Sequence, residues 1–322
     1  MKKIILIIFV SSILISAQTN KIIKDTSYTV YSTFNKLKKD FPFIKPVKPI
    51  LPNEVNALRE ITYINYGERE LKLDLFFNQP GEILKPAIIL IHGGGWRTGD
   101  KSLMFPMALQ FAKKGFVAAV VEYRLAPETI FPAAIIDVNN SIKWLKQNSF
   151  NFRIDTNKIA LLGCSAGGQI ASLIGFANDE KEFEDSVNYK DISNNVSAIL
   201  NIDGLLDFLG KESEEYDENP NNSKPRAAHQ WLGASQIDRP DLWKKASGIN
   251  YIKKNSPPIL FLNSSQPRFH AGRDAAIESL DKYNIYNEVH TLEDSPHSFW
   301  LFHPWFNETV NIVDQFLKKV LN

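Results

Sequence analysis

Nine residues, Ala160-Leu161-Leu162-Gly163-Cys164-Ser165-Ala166-Gly167-Gly168, constrain the fold of this 322-residue chain more than any other stretch. An apolar strand, Ile159 to Leu162, runs into Gly163-x-Ser165-x-Gly167, and a helix pattern follows from Gly168. A turn this sharp holds the serine at its apex in a strained conformation. Side chains at the two flanking glycines would collide as strand and helix approach. The serine hydroxyl then projects above the sheet, where the N–H groups of the helix N-terminus favour developing negative charge. Read alone, the same residues fit an ordinary strand-to-helix turn with a capping serine. The apolar strand before them and the Gly/Ala-rich helix after them supply the context of the sharper reading.

Strands alternate with helices along the chain. Glu60 to Tyr66 and Leu71 to Phe77 alternate apolar and polar residues, as a hairpin of two edge strands does. Pro86 to Ile91 and Phe116 to Val121 are continuous apolar runs, which predicts buried strands. Val196 to Ile202, Pro258 to Leu262 and Asn287 to Leu292 continue the strand pattern. Helices are predicted over Ser102 to Lys114, Ala133 to Gln147, Gly272 to Tyr283 and Glu308 to Leu321. The expected fold is α/β, a doubly wound and mostly parallel sheet covered on both faces. The pattern breaks at about residues 208–254, read as an insertion over the sheet's C-terminal edge, with an acidic surface loop from Glu212 to Pro225. Residues 18–58, with Pro42, Pro46, Pro49 and Pro52, read as an N-terminal extension lying on the main domain of residues 59–322.

Met1-Lys2-Lys3, the apolar run Ile4 to Ile15 and Ser16-Ala17-Gln18 read as a signal peptide, residues 1–17, cleaved after Ala17. The run is short for a membrane span, and no cysteine follows it to carry a lipid. The expectation is a secreted or periplasmic protein without stable membrane insertion. A net charge of +1 leaves no electrostatic footprint for nucleic acid. Cys164 is the only cysteine, so no internal disulfide can form. It reads as a small buried residue beside the serine rather than a second nucleophile.

His92-Gly93-Gly94-Gly95-Trp96 follows the strand Pro86 to Ile91. Three glycines leave the backbone bare, so the N–H groups of Gly94 and Gly95, with that of Ala166, would form an oxyanion hole. A Gly-rich loop can also cradle phosphate, but the Gly-Lys-Ser/Thr ending of a phosphate-binding loop is absent.

Three motifs now stand in order: His92-Gly93-Gly94-Gly95-Trp96, then Tyr123-Arg124-Leu125-Ala126-Pro127-Glu128 with Phe131-Pro132-Ala133-Ala134 and Asp137, then Gly163-Cys164-Ser165-Ala166-Gly167-Gly168. Over roughly residues 60–320 the chain resembles the hormone-sensitive-lipase-like branch of the α/β-hydrolases. It also resembles secreted carbohydrate esterases of the acetyl-xylan and feruloyl esterase kind. The resemblance implies the α/β-hydrolase fold and an ester hydrolase that uses Ser, His and an acid, with no cofactor and no metal. It implies Ser165 as nucleophile and His297, in Asp294-Ser295-Pro296-His297-Ser298-Phe299, as general base. The segment from Tyr123 to Glu128 is expected to brace the elbow and the oxyanion loop. His92 reads as structural, and His229 and His290 as surface or core residues.

The acid departs from the family pattern. Relatives carry an aspartate in the loop after Ile259 to Leu262, where this chain has Gln266, an amide without charge. Asp203, at the end of the preceding strand, is the first candidate and Asp274 the second, with Asp294 or no acid remaining. Asp274 also fits a plain role in the first turn of a helix. Arg268, His270 and Arg273 share that loop and would suit a carboxylate on the substrate. Salt bridges within the loop are the equal alternative. Trp96, and Trp300 from the aromatic group Trp300, Phe302, Trp305 and Phe306, are candidate sugar contacts, though such groups commonly form core. The expected function is hydrolysis of carboxylic esters on a polysaccharide or oligosaccharide, acetyl-xylan or methyl-esterified pectin, through an acyl-enzyme. The alternatives are a general carboxylesterase or lipase on small esters, and a non-catalytic binding protein on the same fold.

Overall fold

The computed structural model describes residue 25 and residues 27–78, 81–214 and 227–321. The signal peptide read at residues 1–17 and most of the acidic stretch, residues 215–225, lie outside the described residues.

Ten strands are described. β1 (Lys45–Pro46) pairs antiparallel with β10 (Phe302–His303). The other eight are β2 (Val55–Asn65), β3 (Glu70–Asn78), β4 (Lys85–Ile91), β5 (Val117–Val121), β6 (Ile154–Cys164), β7 (Ala198–Ile202), β8 (Ile259–Asn263) and β9 (Asn287–Thr291). They form one sheet in the order β2-β3-β5-β4-β6-β7-β8-β9. The pairings β2/β3 and β3/β5 are antiparallel, and those from β5 to β9 are parallel. The helices are α1 (Val30–Leu37), α2 (Phe105–Lys113), α3 (Ala133–Gln147), α4 (Ser149–Phe152), α5 (Ala166–Phe176), α6 (Lys211–Glu214), α7 (Ala227–Leu232), α8 (Pro240–Ala246), α9 (Arg273–Lys282) and α10 (Trp305–Val320).

The central strands carry long apolar runs because both faces of the sheet are covered. Side chains alternate between faces with a period of two. Ala87, Ile89 and Ile91 of β4 and Ile159 and Leu161 of β6 share a core with Ile135, Val138 and Ile142 of α3, Ile170 and Leu173 of α5, and Leu280 of α9. Ile88 and Leu90, with Ala160 and Leu162, face the opposite core, built with Met107 and Phe111 of α2 and Val310, Val313, Phe316 and Leu317 of α10. The doubly wound α/β-hydrolase architecture is therefore as the sequence predicts.

Connection order places the site. From β4 the chain crosses outward to β5, then returns past β4 to β6, so β4 and β6 lie side by side. A reversal of this kind opens a crevice at the carboxyl ends of the two strands. The loop at His92 leaves β4 there, and Ser165 follows β6.

The insertion contributes α6, α7 and α8, with a 3₁₀ turn at Gly248–Tyr251. Trp231 of α7 stacks on Trp96 at 5.0 Å and 13°, so the insertion packs at the carboxyl end of the sheet. Residues 27–54 lie along the α10 side, where Tyr28, Phe34, Leu37, Phe41 and Val47 are partly buried.

Candidate active site

Ser165 sits at the apex between β6 and α5 with φ 54° and ψ −121°, a region that a non-glycine residue occupies only when its surroundings force it. Two glycines make the turn possible. A Cβ on Gly163 would stand 1.9 Å from the carbonyl oxygen of Gly167, and one on Gly167 would stand 2.2 Å from that of Ile91. The Ser165 amide donates to Ile202 O at 2.7 Å, which ties the apex to β7. Cys164 is fully buried, and burial pushes its thiol well above the usual range, so it offers no thiolate.

The Gly-rich loop lies directly against that apex. A Cβ on Gly93 would come within 3.0 Å of Ser165 Cβ. Gly94 (φ 127°) and Gly95 (φ 58°) follow in backbone conformations that favour glycine. The loop is braced from behind, as expected. Tyr123 Oη donates to His92 O at 2.8 Å, its ring stacks on His92, and the Ala126 amide donates to Trp96 O at 2.9 Å. Arg124 in turn grips the buried carboxylate of Asp137 through Nε and Nη2, at 2.9 and 2.7 Å. At the loop's exit the buried Lys101 amine pairs with Asp74 at 2.6 Å and also with Glu60. Breaking a buried pair of that type typically costs about 3–5 kcal/mol.

His297 reaches the apex from the loop after β9. Its Nε2 is 2.9 Å from Ser165 Oγ, and its Nδ1 is 2.9 Å from Asp203 Oδ2. A carboxylate only accepts, so Nδ1 carries the proton and Nε2 is left to accept from the serine hydroxyl. Asp203 is 0% exposed at the end of β7. Its Oδ1 accepts from the Ser264 amide at 2.7 Å and, more loosely, from Asn263 Nδ2 at 3.4 Å. The loop after β8 thus supplies donors to an acid carried by β7.

The ring of Phe269 lies over His297 at 3.5 Å and 9°, and Trp300 meets it edge-on at 5.1 Å. Loss of solvation lowers the His297 pKa below its ordinary 6.5; hydrogen bonding and charge from Asp203 oppose this, while Arg268 and Lys36 add to it. Nε2 is therefore free of a proton at neutral pH and able to take one from Ser165. Turnover is expected to hold at neutral pH and to fall with acid through a midpoint below 6.5, the ordinary histidine value. Stability follows the same sign, because the unfolded chain protonates first and the contribution is lost as pH drops below 6.5. A pH–kcat/KM profile on a neutral aryl acetate checks this; a midpoint above 6.5 contradicts it.

The other predicted residues divide. Asp274 lies on the first turn of α9, 73% exposed and paired with Arg273 Nε at 2.8 Å; it is not brought to His297. Arg273 also donates to Asn263 Oδ1 at 3.0 Å, and His270 Nε2 bonds Ser264 O at 3.0 Å. These two side chains hold the loop together, which favours the salt-bridge alternative over a shared carboxylate subsite. Arg268 packs over the Phe269 ring at 4.3 Å, and its charge reaches His297. Trp96 is 7% exposed and donates to Gln169 Oε1 at 2.8 Å, and Trp300 is 2% exposed. Both belong to the core, as do Phe302, Trp305 and Phe306, so the expected sugar-facing tryptophans are corrected to packing residues. The sequence reading missed Phe269, whose place in the loop beside Gln266 was its one available signal. It also missed the donors Asn263 and Ser264. Among the described residues, no group of three or more His, Cys, Asp or Glu could hold a metal ion, and no helix is long and apolar enough to cross a membrane.

The chain is 29% identical over 231 residues to Esterase LipC of Mycobacterium tuberculosis, a match covering 69% of this chain and 56% of LipC. It thus spans about half the length of the curated relatives it matches. A solved truncated form of a carbohydrate esterase from gut microbiota superposes with a TM-score of 0.70 at 20% identity, covering 83% of this chain and 99% of that one. The thermophilic esterase Est2 of Thermogutta terrifontis with propionate bound superposes with a TM-score of 0.68 at 21% identity, covering 84% and 96%. At these identities the two structures establish the fold alone. The BD-FAE family profile matches residues 73–269, a span that contains the Gly-rich loop, the elbow and Asp203. The chain belongs to the BD-FAE family, an esterase family of the α/β-hydrolase fold.

Proposed function

We propose that the protein is a serine ester hydrolase acting on carboxylic esters of polysaccharide. The observation that carries the reading is the hydrogen-bond chain from Asp203 through His297 to Ser165 Oγ, 2.9 Å at each histidine nitrogen, set against the Gly94–Gly95 loop. Ser165 Oγ attacks the ester carbonyl carbon while His297 Nε2 takes its proton, and the oxyanion is held by the amides of Gly94, Gly95 and Ala166. Collapse of the tetrahedral intermediate returns that proton to the departing alcohol and leaves an acyl group on Ser165. Water then repeats the sequence and releases the acid.

An acetyl ester on xylan is the leading substrate. Family membership and the carbohydrate esterase among the structural neighbours support it together. Export, as the signal peptide reading implies, would bring the enzyme to such polymers. Two of the three cationic residues that argued for a uronate carboxylate are engaged within their own loop, which weakens methyl-esterified pectin. Arg268 keeps that second reading open, since its charge reaches the histidine.

Purified full-length protein on acetylated xylan, methylated pectin and feruloylated xylan separates the readings. Acetate release from xylan is expected. Methanol release from pectin, with a KM that rises about ten-fold in Arg268→Ala beyond any change on a neutral aryl acetate, would carry the pectin reading instead. No acid or alcohol released from any ester would leave the non-catalytic binding protein.

A further inference from the structure

The family match begins at residue 73, yet residues well before it close onto the site. The downstream part of this N-terminal segment is fastened to the chain just beyond His297. β1 pairs with β10, with Lys45 opposite His303 and Pro46 opposite Phe302, and the Val47 amide donates to Leu301 O at 3.0 Å. Phe34 packs on Phe302 at 6.4 Å, and Phe41 meets Trp305 edge-on at 5.8 Å. The upstream part reaches the opposite wall. Thr98 Oγ1 donates to Asp25 O at 2.8 Å and accepts from the Tyr28 amide at 3.4 Å, while Tyr28 Oη lies 3.2 Å from Ser298 Oγ.

Both ends of that bridge touch residues that shape the site. Thr98 closes the turn of the Gly-rich loop. Its amide donates to Gly94 O at 3.1 Å, and its carbonyl oxygen lies 2.0 Å from where a Gly94 Cβ would be. Ser298 directly follows His297 and holds φ 75°, a left-handed conformation that needs support outside glycine. Burial raises the Tyr28 phenol pKa, so its hydroxyl keeps its proton and stays a donor.

The sheet itself does not join these two loops. One leaves β4 and the other leaves β9, and three strands, β6, β7 and β8, stand between them. Yet an acyl transfer needs the oxyanion amides and the histidine to address one carbonyl at Ser165. A misplacement of about 1 Å can cost on the order of 100-fold in rate.

We propose that Tyr28 and Thr98 are positioning residues, and that the N-terminal segment from Tyr28 to Val47 is a strap that ties the oxyanion loop to the histidine loop. The proposal rests on the serine esterase reading above. Its chemistry is that of two polar clasps at one end and apolar and β-pairing contacts at the other.

The test uses the full-length chain, with Tyr28→Phe, Thr98→Val and the double variant, on a neutral aryl acetate. Active sites are counted with a fluorophosphonate that labels Ser165. The strap predicts that kcat per labelled site falls about five- to ten-fold in each single variant while KM stays within about two-fold, because the clasps act on alignment and not on ester binding. The double variant should fall less than the product of the two, since both substitutions loosen one bridge. Affinity for a boronic acid that forms a tetrahedral adduct should drop in step with kcat. A purely structural role would lower the melting temperature and the labelled fraction but leave kcat per site within two-fold of the parent, and that result overturns the strap. Turnover retained in Ser165→Ala would instead overturn the esterase reading beneath it, so the two failures are distinct.

Discussion

Replacing Ser165 by alanine is expected to lower kcat on a simple aryl acetate by at least about 10⁴-fold while leaving the fold intact. The hydroxyl is the atom that His297 Nε2 meets at 2.9 Å, and no other side chain at the apex can take its place. Cys164, the adjacent candidate, is buried with its thiol held protonated. The fold should survive because what shapes the elbow is backbone: the Gly163 and Gly167 close approaches and the Ser165 amide bond to Ile202 O. Alanine keeps the Cβ and removes only the hydroxyl. His297→Ala should cost nearly as much, and the double variant little more than either, because nucleophile and base work as a unit. Residual rate above that of water would then come from the oxyanion amides and substrate binding. Circular dichroism and a thermal melt establish the fold, and turnover per protein chain establishes the loss. A folded Ser165→Ala protein with parental activity overturns the assignment.

What could be read from the sequence was local. The elbow and the Gly-rich loop were legible because glycine is demanded where backbones touch, and that demand is written at fixed spacing. The buried strands were legible because a sheet covered on both faces leaves an unbroken apolar run: Pro86 to Ile91 was expected, and β4 spans Lys85–Ile91. β6 was read short, from Ile159, because Asp155 to Lys158 are polar; the strand nevertheless extends back to Ile154, where it pairs with Lys85. The closing helix, expected from Glu308, starts at Trp305. The side-chain partners were less legible, because they depend on sheet order. Asp203 ends an apolar strand and Asp274 opens a helix, and only the order of the sheet shows which of them meets His297. The strap was invisible for the same reason. Tyr28 and Ser298 are 270 residues apart, and nothing in the periodicity of the N-terminal segment records the contact. The aromatic residues could be read either way because composition does not say which way a ring faces: Trp96 and Trp300 are spent on packing.

Asp203→Asn should lower kcat by about 10⁴-fold with little change in KM, the size of effect that loss of the acid has in a triad of this arrangement. The substitution is a clean one. Asparagine matches the volume of the buried side chain and tolerates the φ of 51° found at Asp203, so the end of β7 need not move. What changes is the pattern of donors. The Ser264 amide, 2.7 Å from Oδ1, requires an acceptor there. The asparagine oxygen therefore turns toward Ser264, and its NH₂ group faces His297 Nδ1. Two donors cannot face each other, so the imidazole must place its proton on Nε2, and Nε2 then cannot accept from Ser165 Oγ. The opposite amide orientation would restore the histidine bond but leave the Ser264 amide against an NH₂ group, at a cost of about 1–3 kcal/mol for a buried unmet donor. The imidazolium formed during acylation also loses the charge that stabilises it. Substrate binding involves none of these atoms, so KM is expected to hold. Asp274→Asn is the contrast: its carboxylate is 73% exposed and paired with Arg273, and a surface pair of that kind contributes at most about 1 kcal/mol. Turnover should be unchanged there and the melting temperature slightly lower. If Asp274→Asn abolishes turnover while Asp203→Asn spares it, the acid has been placed on the wrong element.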